Sequence, residues 1–188
     1  MSEFQTYLII GFNHISDLKA YDHIVFIVAL CAPYPLKMWR SVFFLVTAFT
    51  VGHSITLALA TFEIVLVSSK IIEMLIPITI LVTCLTNVFF DKKIGGRDSY
   101  FLALFFGLVH GLGFSNYLRV LLGMEETIVM PLLSFNIGLE LGQMMIVAIF
   151  AAVTFVTLRF LRTPHQHWNL FVSGAAAGIS AMLLVGAQ

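Results

Sequence analysis

Charge is what this chain has least of. Asp, Glu, Lys and Arg make up 11% of its residues and hydrophobic types 60%, whereas a soluble domain carries roughly 25% charged residues. With so few ionic side chains a water-facing surface cannot be covered, so a soluble fold is excluded and a membrane domain is expected. The formal net charge is zero, so no basic field exists to attract nucleic acid. Only Cys31 and Cys84 are available for a disulfide, and both fall in apolar runs, so they are expected to be packing residues. The N-terminus, MSEFQTYLIIGFNHISDLK, lacks the basic n-region and small-residue cleavage site of a secretory signal, so it is expected to stay in the mature protein. No low-complexity segment is present. A length of 188 residues admits roughly six or seven spans of about 20 residues and short loops, hence a single membrane domain over residues 1–188.

The apolar runs that are present place spans at Tyr21–Ala32, Ser41–Phe62, Ile71–Phe90, Tyr100–Leu122, Met130–Phe160 and Trp168–Ala187, separated by charged, Gly or Pro-containing breaks. The expected fold is an all-α polytopic bundle of about six helices. Its first run is too short to cross roughly 30 Å of hydrocarbon, so a half-helix or interfacial helix at 4–13 is expected to complete it. Pro33 and Pro35 end that span, and DKKIGGRDS at Asp91–Ser99 forms another break. Seven of the ten basic residues, Lys37, Arg40, Lys92, Lys93, Arg97, Arg159 and Arg162, fall on one side. Lys19, Lys70 and Arg119, with Glu3, Asp17, Glu63, Glu125 and Glu126, fall on the other. The positive-inside rule then puts both termini outside, in the inner (cytoplasmic) membrane. Gly107 with Gly111, Gly138 with Gly142 and Gly174 with Gly178 are small-xxx-small pairs, from which a tight packing of spans four to six is expected.

Ionisable residues within apolar runs carry the chemistry, since each costs at least roughly 2.5 to 3.5 kcal/mol at mid-bilayer unless paired, solvated or coordinated. They are Asp22, His23, His53, His110 and Glu140, with His14 just before the first span and Glu73 and Asn136 nearby. At about 1.5 Å per residue, His53 lies roughly 20 Å and His110 roughly 15 Å from the basic side, with Glu140 roughly 15 Å from the other. A shared depth in the outer half points to one site. Several imidazoles with carboxylates are the ligand inventory of nickel, cobalt or zinc. Asp22 and His23 are adjacent and cannot both face one point, so one of them is expected to support the other. Glu140 stands with Asn136 and Gln143 in a polar stripe that reads equally as a ligand or proton relay and as an interhelical hydrogen-bond cluster. Thr47, Thr50 and Ser54 beside His53, and Thr79, Thr83 and Asn87 on span three, read as hydroxyl and amide groups bonded mainly to their own backbone. His165-Gln166-His167 reads as an exposed polar loop. GFSN at Gly113–Asn116 is not a nucleophile elbow, which sets aside a serine hydrolase.

Four segments in order, GFNHISDLKAYDHIVFIVALCAPY, LVTAFTVGHSITLALA, GLVHGLGFSNYLRVLLG and SFNIGLELGQ, resemble the HupE/UreJ family from about Gly11 to Gln143. The resemblance implies divalent-metal permeation, of nickel or cobalt, across the inner membrane. It places the family's metal-binding signature on His14, Asp22 and His23.

Three functions follow. The first is transport or binding of a nickel- or cobalt-type ion through a site of His14, Asp22, His23, His53, His110 and Glu140, supported by Asn136, Gln143 and Glu73. The second is an intramembrane zinc-dependent hydrolase or acyl-transfer enzyme acting on lipid or lipoprotein, with Glu140 or Asp22 as general base. The third is a structural or accessory subunit whose polar cluster only locks the fold. The expected partners are membrane lipid and a divalent metal ion; the sequence names no partner protein.

Overall fold

A computed structural model describes residues 2–65, 67–89, 96–122 and 127–186, without the side chains of Asn116 and Arg119. The Asp91–Gly95 part of the expected break, with Lys92 and Lys93, and the Glu125–Glu126 pair lie outside the described residues. The fold is all-α: α1 Glu3–Ser16, α2 Asp22–Cys31, α3 Trp39–Thr61, α4 Ser69–Phe89, α5 Arg97–Leu122, α6 Val129–Phe160 and α7 His165–Gly186. In hydrocarbon every backbone N–H and C=O must be satisfied within the segment, which leaves helix as the only form for such runs. Five of them, the helices from α3 to α7, are long and apolar enough to cross a membrane. The chain is therefore an integral membrane protein.

The two short helices run one after the other between the two ends of the bundle. A capping box starts α1, in which Ser2 Oγ accepts from the Gln5 N–H at 3.3 Å and Gln5 Oε1 accepts from the Ser2 N–H at 3.1 Å. It runs parallel to α6, with Gly11 against Phe135 and Leu139 and Gly142 against Phe12 and Ile15. Tyr7 reaches the Leu121 carbonyl near the end of α5, whereas His14 packs on Phe114, two turns further in. Then α2 continues toward the opposite face, where the Ala29 carbonyl accepts from Asn87 near the end of α4. We call the face where α4 begins and α5 ends the upper face, and the one where α5 and α7 begin the lower. The non-helical stretch Asp17–Tyr21 sits between the two helices, and most of it borders a cavity. Irregular backbone at membrane depth is tolerated only against protein or a polar cavity, as here.

Glycine decides the helix pairing. A Cβ at Gly52 would collide with the Leu104 carbonyl, one at Gly107 with that of Phe49 and one at Gly111 with that of His53, so α3 and α5 touch backbone to backbone. Gly11 and Gly138 do the same for α1 and α6. This corrects the expectation of a tight packing of spans four to six. Two of the glycine pairs bind those helices to α3 and α1, and Gly174 and Gly178 have no atom within 4 Å of a built Cβ. The remaining pair is α4 with α7. Pro77 stands inside α4, and its carbonyl accepts from the Ser180 hydroxyl of α7, a side-chain bond that joins the two helices.

Replacement of Gly52 or Gly107 by Leu is expected to lower the Tm of the detergent-solubilised protein, with overpacking costing about 1–3 kcal/mol or more. Gly174→Leu is expected to leave it within error. Equal Tm values for all three variants would refute this account of the pairing.

Candidate functional site

Four imidazoles gather where α1, α2, α3 and α5 meet. The ring centroids of His14 and His23 are 4.8 Å apart, His14 and His53 5.7 Å, His23 and His53 5.7 Å, and His23 and His110 5.1 Å. His53 and His110 are fully buried. Phenylalanines wall the group: Phe114 on His14 at 3.9 Å, Phe26 on His110 at 4.8 Å, and Phe49 at 5.2 Å from His110.

Hydrogen-bond accounting settles the proton position on one of the rings when it is neutral. Asp22 Oδ1 accepts both the His23 backbone N–H at 2.9 Å and, at 3.1 Å, a bond from His23 Nδ1. An ionised carboxylate only accepts, so Nδ1 carries the hydrogen and the lone pair of His23 is on Nε2. Asp22 is thus the support and His23 the supported group. Thr79 Oγ1 is within hydrogen-bond distance of two groups, the Ile76 carbonyl at 2.7 Å and His110 Nε2 at 2.8 Å, and so holds the His110 ring in place. His23 Nε2 and His110 Nδ1 are buried and without a partner, as are His14 Nε2 and both nitrogens of His53. Buried polar atoms are almost always satisfied, and here several unpartnered ring nitrogens are concentrated in one place.

An imidazole nitrogen binds a divalent ion at about 2.0–2.1 Å, which sets the ring centroids of two ligands on one tetrahedral ion about 5 Å apart. Four of the pairs, at 4.8–5.7 Å, lie near that figure. Among the described residues, however, no three His, Cys, Asp or Glu side chains form a ready metal-holding group. The rings have the separation of a shared site without their nitrogens being gathered on a point.

Above the cluster a cavity of about 1050 Å³ opens, lined by His14, Asp22, His23, Glu73 and Tyr117 among others. Glu73 is exposed there, on the approach to the histidines. Glu140, expected at the same site, bonds to α3: its two oxygens accept from Thr47 and Thr50. The Thr50 hydroxyl also faces Gln143 Oε1 at 2.7 Å, while Gln143 Nε2 is buried and unpartnered. One hydroxyl hydrogen cannot serve two acceptors. Turning the Gln143 amide over makes its NH2 the donor to Thr50 and leaves the Thr50 hydrogen for Glu140. Asn136 Oδ1 accepts from Ser54 at 2.7 Å, so the Glu140 stripe joins α6 to α3.

Sequence spacing understated three things. Thr79 does bond its own backbone as expected, yet also orients His110. Phe49 precedes His53 and Phe114 follows His110 by one turn, a His-Phe repeat visible in the sequence that marks the aromatic wall. His165 does not lie in an exposed loop: it opens α7, is half-buried, and borders a second cavity at the lower face.

A family model described as HupE / UreJ protein matches residues 1–187. The chain belongs to the HupE/UreJ family. That family is associated with nickel and cobalt transport or accessory roles. Neither a curated protein nor a solved structure matches this member of it.

In protein labelled with ¹⁵N-histidine, imidazole nitrogen shifts are expected to give His23 as the Nδ1–H tautomer. Thr79→Val should shift the His110 resonances and destabilise the fold by about 1–3 kcal/mol, the cost of leaving a buried polar atom unpaired. A wild-type His23 bearing its hydrogen on Nε2 would refute the assignment.

Proposed function

We propose that this HupE/UreJ protein binds a divalent cation of the nickel and cobalt class and passes it across the membrane. The ion enters from the upper cavity and is held by His14, His23, His53 and His110. The observation that carries this reading is a group of four imidazoles with neighbouring ring centroids 4.8–5.7 Å apart and buried, unpartnered nitrogens, directly beneath a cavity. Imidazole suits these ions, and the Asp22 bond to His23 Nδ1 raises the basicity of the nitrogen that faces the site. Here the ion is cargo. A site whose nitrogens close on the ion only when it arrives holds it loosely enough to let it go, which conduction requires. With Lys37, Arg40, Arg97, Arg159 and Arg162 toward the lower face, the positive-inside rule makes that face cytoplasmic and opens the upper cavity outward. Glu140 acts in this scheme by tying α6 to α3.

Equilibrium dialysis of the detergent-purified protein against Co²⁺ or Ni²⁺, read by elemental mass spectrometry, is expected to show saturable binding that His53→Ala and His110→Ala abolish. Asp22→Asn should weaken it by about 10- to 100-fold, the usual effect of losing a ligand's hydrogen-bond partner. A wild-type protein that takes up neither ion at millimolar concentration refutes the reading.

A further inference from the structure

Below the histidines three of the same helices repeat a pattern one turn at a time. On α2 the order toward the lower face is His23, Phe26, Leu30; on α3 it is His53, Phe49, Leu45; on α5 it is His110, Phe106, Leu102. The middle members form a layer of three buried rings, Phe26 at 0%, Phe49 at 1% and Phe106 at 5% exposure. Phe26 is 4.9 Å from Phe49 and 6.0 Å from Phe106, centroid to centroid. The third members, Leu30, Leu45 and Leu102, border the lower cavity of about 600 Å³. Only α4 replaces phenylalanine with hydroxyls. Thr79 touches His110, Thr83 donates to the Thr79 carbonyl at 2.8 Å, and Thr83, Thr86 and Asn87 line the lower cavity.

That cavity is polar along its α4 and α7 walls. Asn169 donates to the Asn87 carbonyl at 3.2 Å and accepts from Ser173 at 3.1 Å. His165 borders the same space with Nε2 buried and unpartnered. Histidines open to one cavity are thus separated from a second cavity by a single aromatic layer, flanked on one side by a line of threonine hydroxyls.

We infer that Phe26, Phe49 and Phe106 form a closed gate between the imidazole site and the lower cavity, and that the lower cavity, with His165 and the α4 threonines, is the release site for the divalent cation. The inference rests on the proposed transport reading and adds the path and the exit to it. A dry aromatic constriction bars a hydrated ion until its rings move, and face-on rings attract a cation once they part. The Thr79–Thr83–Thr86 hydroxyls then supply oxygen contacts along α4, and His165 supplies a nitrogen beyond the gate.

The test uses full-length protein in liposomes loaded with a fluorophore that Co²⁺ quenches, with Co²⁺ affinity measured separately by dialysis. Thr83→Val combined with Thr86→Val keeps side-chain shape and is expected to cut Co²⁺ flux at least tenfold with affinity within twofold of wild type. Phe49→Ala is expected to raise flux severalfold. Should that variant not fold, a charged thiol reagent on Ser99→Cys, at the lower cavity, is expected to block flux without altering affinity; the native Cys31 and Cys84 are buried. Wild-type flux in the threonine double variant, or in the modified Ser99→Cys protein, beside an inactive His53→Ala protein overturns the exit route and leaves the transport reading standing. Absence of Co²⁺ binding by the wild type overturns both.

Discussion

Backbone contact between α3 and α5 holds His53 and His110 in place, and most of what surrounds the site depends on it. Gly107 and Gly111 receive the carbonyls of Phe49 and His53, and Gly52 receives that of Leu104. In lipid no hydrophobic force drives two apolar helices together, so close approach through small residues carries the association. The two imidazoles are thereby buried completely, beyond the reach of lipid or bulk water. Their unused nitrogens then have only one another's company, that of the phenylalanines, and whatever enters from the cavity above.

A second constraint comes from the break between α1 and α2. A continuous helix there would satisfy its own backbone and leave no place for a polar opening. Splitting it into α1 and α2 puts His14 at the end of one piece and Asp22 and His23 at the start of the other, all beside the upper cavity. The glycine contacts with α6 fix α1 at the depth where its histidine meets those of α2 and α3. Discontinuous helices serve ion sites in membrane proteins for this reason: they free main chain and side chains at mid-depth while the neighbours keep them covered.

Much of the fold was legible in the sequence. The spans expected from hydropathy coincide with α2 to α7 within a few residues, because a helix in lipid has to be apolar along its whole length and its ends have to be polar. The histidines could also be singled out, since an ionisable group in an apolar run is costly enough to require a reason. The pairing of the glycine motifs was not legible. Gly174 and Gly178 have the same spacing as Gly107 and Gly111 and touch nothing, for a small-residue face says that close approach is allowed and not which helix makes it. Nor were the partners of Glu140: depth in a membrane is one coordinate of three, and its carboxylate meets the Thr47 and Thr50 hydroxyls of α3.

The sequence by itself determined a membrane domain of apolar helices, their approximate ends, the charge asymmetry of their loops and the inventory of histidines, because each follows from local composition and the cost of burying charge. Tertiary structure alone decided that four of the six histidines gather in one place and that Asp22 and Thr79 orient two of them. It alone set a phenylalanine layer beneath the cluster and made His165 line the lower cavity. These depend on which helix faces meet, and that is settled by the shape of backbone contacts between residues far apart in the chain.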